Sequence, residues 1–148
     1  MDIRIKKAEI SDIPDIIRLN AEFNGRGATR ASMEEALKNN AREIVLIAVR
    51  NDTAAGFICG QIWQSVCYAE LQGIIMELFV SEKYRGNGIA TKLIQAMEAE
   101  FSSFGVNVIT LATAINNTIA RKFYESRGYR NEEEIIYGKN YHSRAAAR

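Results

Sequence analysis

The chain has 148 residues, 47% apolar and 25% charged, the balance of one soluble globular domain with a core of its own. Nineteen basic and 18 acidic side chains leave a net charge of +1, which excludes a global electrostatic pull toward nucleic acid or a membrane surface. No apolar run reaches membrane-spanning length, the polar start Met1-Asp2-Ile3-Arg4 is not a signal peptide, and two cysteines with one histidine (His142) give no metal-ligand set. A cytoplasmic protein without a metal is therefore expected.

Ile3 and Ile5 alternate with Arg4 and Lys6, which predicts a short half-buried strand. Ser11 reads as the N-cap of a first helix, with Asp12, Pro14 and Asp15 in its opening turn and Ile13, Ile16, Ile17, Leu19 and Phe23 as its apolar stripe. Asn24-Gly25-Arg26-Gly27 ends it. Ser32-Met33-Glu34-Glu35 has the form of a capping box and opens a second helix. The run Ile44 to Val49, the turn Asn51-Asp52, and the segments Ala55 to Trp63 and Leu71 to Val80 predict three strands in an antiparallel meander, since their connections are short. Cys59 and Cys67, eight residues apart, are expected to be reduced, buried thiols. Ile89, Leu93, Ile94, Met97, Phe101 and Phe104 recur at helical spacing, and Gly105 closes that helix. Val106 to Ala112 is strand-like, Asn117 to Arg127 helix-like, and Gly128 a stop. Tyr129 onward and Ile135 to Tyr141 are expected to form closing strands. The order is βααβββαβαβ, with room for one more strand. One α+β domain spans residues 1–142, and the tail 143–148 carries no packing pattern.

Arg85-Gly86-Asn87-Gly88-Ile89-Ala90 joins a strand to a helix. A glycine turn there aims backbone N–H groups and a helix N-terminus at one point, which suits a phosphate. Alone it is a weak signal. It lacks the Gly-Lys-Ser/Thr end of a P-loop, and Thr91 stands where a dinucleotide fingerprint has its third glycine.

The segment fits Arg/Gln-x-x-Gly-x-Gly/Ala, and about thirty residues later Asn117-Thr118-Ile119-Ala120-Arg121-Lys122-Phe123-Tyr124-Glu125-Ser126-Arg127-Gly128-Tyr129 fits Asn-x-x-Ala-x-x-Phe/Leu-Tyr-Glu-x-x-Gly-Phe/Tyr. In these two motifs the chain resembles the GNAT superfamily of acetyl-CoA-dependent N-acetyltransferases, from about Gly73 to Tyr129. The resemblance implies the acyl-CoA N-acyltransferase fold: a mixed, mostly antiparallel sheet with splayed strands and about four helices. It implies acetyl-CoA as co-substrate and a primary amine as acceptor, that of a small molecule or, alternatively, of a protein.

By the same resemblance, Arg85, Gly86, Asn87, Gly88, Ile89 and Ala90 cradle the CoA pyrophosphate. Leu78, Phe79 and Val80 offer backbone to the pantetheine arm, and Asn117 either bonds that arm, caps its helix, or does both. Tyr124 stands where many members keep a general acid for the departing thiolate; the bland alternative is a packing aromatic, as for Phe123. Glu77, a lone acid in an apolar strand, is a candidate base or cationic-substrate anchor; the alternative is an exposed strand residue or an ion pair. The acceptor site is expected around Phe23 to Ala31, Trp63 to Tyr68 and Tyr137 to Tyr141. Three readings stand: a small-amine acetyltransferase, a protein N-terminal or lysine acetyltransferase, and a silent acyl-CoA-binding module. Homodimers are frequent in the superfamily.

Overall fold

The computed structural model describes residues 2–25 and 27–141, which fall into two compact units, Met1–Ala112 and Thr113–Arg148. Arg26 of the predicted helix stop, His142 and the tail 143–148 lie outside the described residues. The first unit holds a five-stranded sheet in the order β1-β2-β3-β4-β5: β1 Ile3–Lys7, β2 Glu43–Arg50, β3 Thr53–Trp63, β4 Leu71–Val80 and β5 Val106–Leu111. The first four strands pair antiparallel and β5 joins β4 in parallel. The meander follows from its connections. Asn51 and Asp52 both take positive φ, 49° and 59°, the two-residue hairpin turn that matches strand twist.

Helices cover both faces. On one, α1 (Ile13–Asn24) sends Ile16 and Leu19 against Ile47, Phe57 and Phe79, and Met33 of α2 (Arg30–Asn39) packs on the same cluster. On the other, α3 (Ile89–Ser103) buries Ile89, Leu93, Ile94, Met97 and Phe101 completely or nearly so. Each such side chain stabilises the fold by about 1.5–3 kcal/mol. Gly60 of β3 makes this contact possible: a Cβ there would stand 2.7 Å from Phe101 Cζ and 2.8 Å from Met97 Sδ.

Strand β4 carries a bulge. Cys59 pairs with Glu77 and Gly60 with Ile75, so Met76 is an extra residue. Before it, Gly73 faces α3, lying against the Phe101 ring. After it, Phe79 belongs to the α1 cluster.

The helix starts differ from expectation. Ser11 is not a cap: residues 10–12 form a 3-10 turn, Asp12 precedes α1, and its Oδ2 accepts from Glu9 N at 2.8 Å. Helix α2 begins at Arg30, capped by Thr29 Oγ1, which accepts from Ser32 N at 3.1 Å. Thr29 won because it sits three residues before Ser32, whose own hydroxyl turns back to Thr29 O.

The second unit holds α4, Thr118–Ser126, ended by Gly128 at φ 89°. The expected closing strands are absent among the described residues: 129–141 carry no strand. Ile135, Ile136 and Tyr137 are at least three-quarters exposed. With neither a ladder nor a buried face, the apolar residues there have nothing to hold them extended.

Candidate active site

The β4–β5 ladder ends at the pair Ile75–Leu111, while β4 runs on to Val80. Its second half is therefore paired with β3 on one edge and with no strand on the other, among the described residues. Ser81 N donates to Ala55 O at 2.9 Å, which fixes the phase of the antiparallel ladder. Residues 77, 79 and 81 turn their N–H and C=O toward β3, so those of Leu78 and Val80 face the open edge. Phe79, grouped with them from the sequence, has its backbone committed to β3. Its ring stacks on Phe23 with centroids 4.9 Å apart.

The turn after β4 is braced from both sides. Arg85 Nε donates to Val80 O at 3.0 Å, and Asn87 Nδ2 donates to Tyr84 O and Arg85 O, each at 3.0 Å. Glu22 Oε1, at the end of α1, accepts from Ser81 Oγ at 3.2 Å and Glu82 N at 3.0 Å. The Glu82 N–H is the main reason its carboxyl is held below the ordinary carboxylate value. Gly86 and Gly88 both take φ of 74°, which a side chain would strain, and Gly88 opens α3 without a capping side chain. The N–H groups of residues 86–90 donate to no protein acceptor among the described residues, the first turn of α3 included. Five adjacent unspent donors at a helix N-terminus are the kind of group an anion would satisfy.

Glu77 is half-buried and lies opposite Cys59, on the sheet face that carries Phe79 and α1. The Cys59 thiol is pushed far up, first by burial and then by the charges of Glu43 and Glu77. Burial also raises the Glu43 carboxyl. The thiol is thus inert, and two carboxylates act on one buried spot. Cys67, expected buried, is exposed; both cysteines are free.

In the second unit Asn117 is the cap of α4: its Oδ1 accepts from Ala120 N at 3.1 Å. Tyr124 is half-buried, edge-on to Phe123 at 5.4 Å and to Tyr129 at 6.0 Å. Burial pushes its phenol above the ordinary value, so it holds its proton at neutral pH.

Within the first unit, the residues expected around the acceptor do not come together as one pocket. Phe23 is spent on β4, its ring stacked on Phe79. Trp63, Ser65, Val66 and Tyr68 line an open hollow of about 540 Å³ with Arg42, Leu71 and Phe104. That hollow lies where β4 begins, whereas the N–H cluster follows its end. Tyr137 and Tyr141 are exposed in the second unit.

A sheet whose fourth strand parts from its parallel neighbour and runs into a glycine turn of uncommitted N–H groups defines an acyl-CoA-type transferase architecture. The profile of the Acetyltransferase (GNAT) family matches residues 13–129, and the chain belongs to that family. It is an acetyl-CoA-dependent N-acetyltransferase. An uncharacterized N-acetyltransferase of Archaeoglobus fulgidus is 28% identical over 140 residues, which are 88% of this chain and 95% of that one. N-alpha-acetyltransferase 30 of Schizosaccharomyces pombe is 38% identical over 88 residues, 59% of this chain and 57% of its own. Among solved structures, an aminoglycoside acetyltransferase from an uncultured soil metagenomic sample, in complex with sisomicin, shares the fold. Its TM-score is 0.82 at 18% identity, covering 95% of this chain and 97% of that one. No helix among the described residues is long and apolar enough to cross a membrane.

Proposed function

We propose that this protein acetylates a primary amine of a small molecule, the amine attacking the acetyl thioester directly in a ternary complex. The observation that carries the proposal is the unpaired half of β4, Met76–Val80, leading into five uncommitted N–H groups. An amide-bearing arm lies along such an edge as an added strand would, here on the groups of Leu78 and Val80. Residues 86–90, with the Arg85 guanidinium beside them, take the pyrophosphate.

The chemistry then divides among few groups. The amine nitrogen bonds to the acetyl carbon and the carbon–sulfur bond breaks. Glu77, directly or through a water, takes the proton that the amine sheds. Tyr124, entering by its place in the Asn117–Tyr129 motif, gives its proton to the thiolate. A lysine-like amine has a pKa of about 10.4, so only about one molecule in a thousand attacks unaided at pH 7. The small-molecule class is supported by the soil enzyme's complex with sisomicin. The relative named N-alpha-acetyltransferase 30 favours a second reading, acetylation of protein α-amines.

The decisive experiment is thiol release from acetyl-CoA across polyamines, amino sugars, amino acids and peptides. Turnover with a small amine and none with peptides is expected. Peptide-only turnover moves the reading to its second form; binding without turnover on any amine overturns it for a silent acyl-CoA-binding module.

A further inference from the structure

Arg50 closes β2. Strands β2 and β4 run in the same direction, each antiparallel to β3, so Arg50 emerges at the end of the sheet where β4 gives way to the anion-binding turn. Its side chain is half-buried, and its Nε is buried without a hydrogen-bond partner among the described residues. It forms no ion pair there. Its guanidinium carbon lies 5.7 Å from the centroid of the Tyr84 ring, and Lys83 Nζ lies 4.9 Å from the same centroid. Two cations thus share one ring, which attracts both but neutralises neither. Like charges held together, one of them partly desolvated, are costly unless an anion joins them.

Tyr84 ties this pair to the turn. Its N–H donates to Ser81 O at 2.8 Å and its C=O accepts from Asn87 Nδ2 at 3.0 Å. The Glu22 carboxylate at the turn is otherwise engaged, accepting from Ser81 Oγ and from Glu82 N. CoA brings a pyrophosphate and, one ribose away, a 3′-phosphate. The N–H groups of residues 86–90 suit the first; the second dianion calls for cations. We infer that Arg50 and Lys83, held against Tyr84, form a second phosphate site that reads the 3′-phosphate of CoA. Arginine fits that task because its planar fork meets phosphate oxygens in pairs. The inference rests on the acetyl-CoA reading above.

Affinities of CoA and 3′-dephospho-CoA for the wild-type chain, Arg50→Met and Lys83→Met test it. The wild type is expected to prefer CoA by about tenfold or more, the scale of a charge-assisted contact. Arg50→Met should erase most of that gap by weakening CoA alone, with 3′-dephospho-CoA unchanged within twofold. Lys83 is exposed, so Lys83→Met narrows the gap without a folding risk. The ligand-free Arg50→Met protein should melt at or above the wild-type temperature, because an uncompensated charge is removed. Equal wild-type affinity for the two nucleotides overturns the inference, as does equal weakening of both by Arg50→Met. A wild type that binds neither nucleotide overturns the acetyl-CoA reading itself.

Discussion

Asn87 is the keystone of the turn proposed to hold the CoA pyrophosphate, and Asn87→Asp is the sharpest way to test it. The substitution keeps the shape and exchanges the donor for an anion. Two hydrogen bonds of 3.0 Å are lost, and a carboxylate faces the carbonyls of Tyr84 and Arg85. At about 0.5–1.5 kcal/mol each, those bonds cost the free protein about 1–3 kcal/mol, or about 2–12 °C in Tm for a chain of this size. Ligand binding suffers further. A charge about 6 Å from one phosphate charge costs about 0.7 kcal/mol at the dielectric of water and about 3 kcal/mol at an effective value of 20. The Kd for acetyl-CoA should therefore rise about threefold to a hundredfold. Asn87→Ala loses the bonds without gaining the charge, so it separates loop order from electrostatics. Thermal-shift titration with acetyl-CoA reads both, since the ligand-linked gain in stability follows RT ln(1 + [L]/Kd). Added salt should bring the Asp and Ala variants together. If Asn87→Asp binds acetyl-CoA as tightly as the wild type, the turn is not the pyrophosphate site.

Other outcomes follow from the same geometry. Tyr124→Phe should lower kcat at least tenfold while leaving acetyl-CoA affinity within twofold; parallel loss of both would make the ring a binding element. The raised Tyr124 pKa belongs to a group that folds best protonated, so its stability contribution persists at neutral pH and fades as pH climbs through the raised value, seen as a falling Tm in alkaline melts. For Glu22 the sign is reversed: its depressed pKa stabilises the fold above the ordinary carboxylate value and is lost as pH falls through the lowered one. Glu22→Gln should flatten the acid limb of Tm against pH, and an unchanged limb would clear Glu22 of bracing the turn. Gly60→Ala should cost about 1–3 kcal/mol by overpacking Phe101 and Met97, and a wild-type Tm would show that α3 yields freely.

The strands β2 to β4 and helix α3 were legible because their apolar periods are long and their turns carry Asn51-Asp52 and Gly105. The glycine turn between β4 and α3 was legible too, and the structure adds that Asn87 ties the loop through its own amide. Helix starts were misread where hydroxyls compete, Thr29 against Ser32 and the 3-10 turn against Ser11. The apolar run from Ile74 to Val80, broken only by Glu77, hides where its alternation slips, so the face of Glu77 could not be read from spacing. Closing strands were expected from β-formers at Ile135 and Tyr137, but a strand exists only with a partner. Arg50 gave no signal at all. Its isolation depends on what lies across the fold from it, and a single arginine at a strand end reads as solvated.

The extra residue Met76 sets the reading frame of the second half of β4. Forcing Met76 into the regular ladder, with the bulge flattened, would roll the rest of the strand by half a turn. Glu77 would then enter the apolar layer beneath α3, Leu78 would leave it, and Phe79 would abandon Phe23. An attempt to tidy this strand for stability would put the proposed base where no amine could reach it. Half-exposed and unremarkable in the sequence, Met76 is the residue that lets one strand pack under α3 at its start and turn the proposed base to the opposite face at its end.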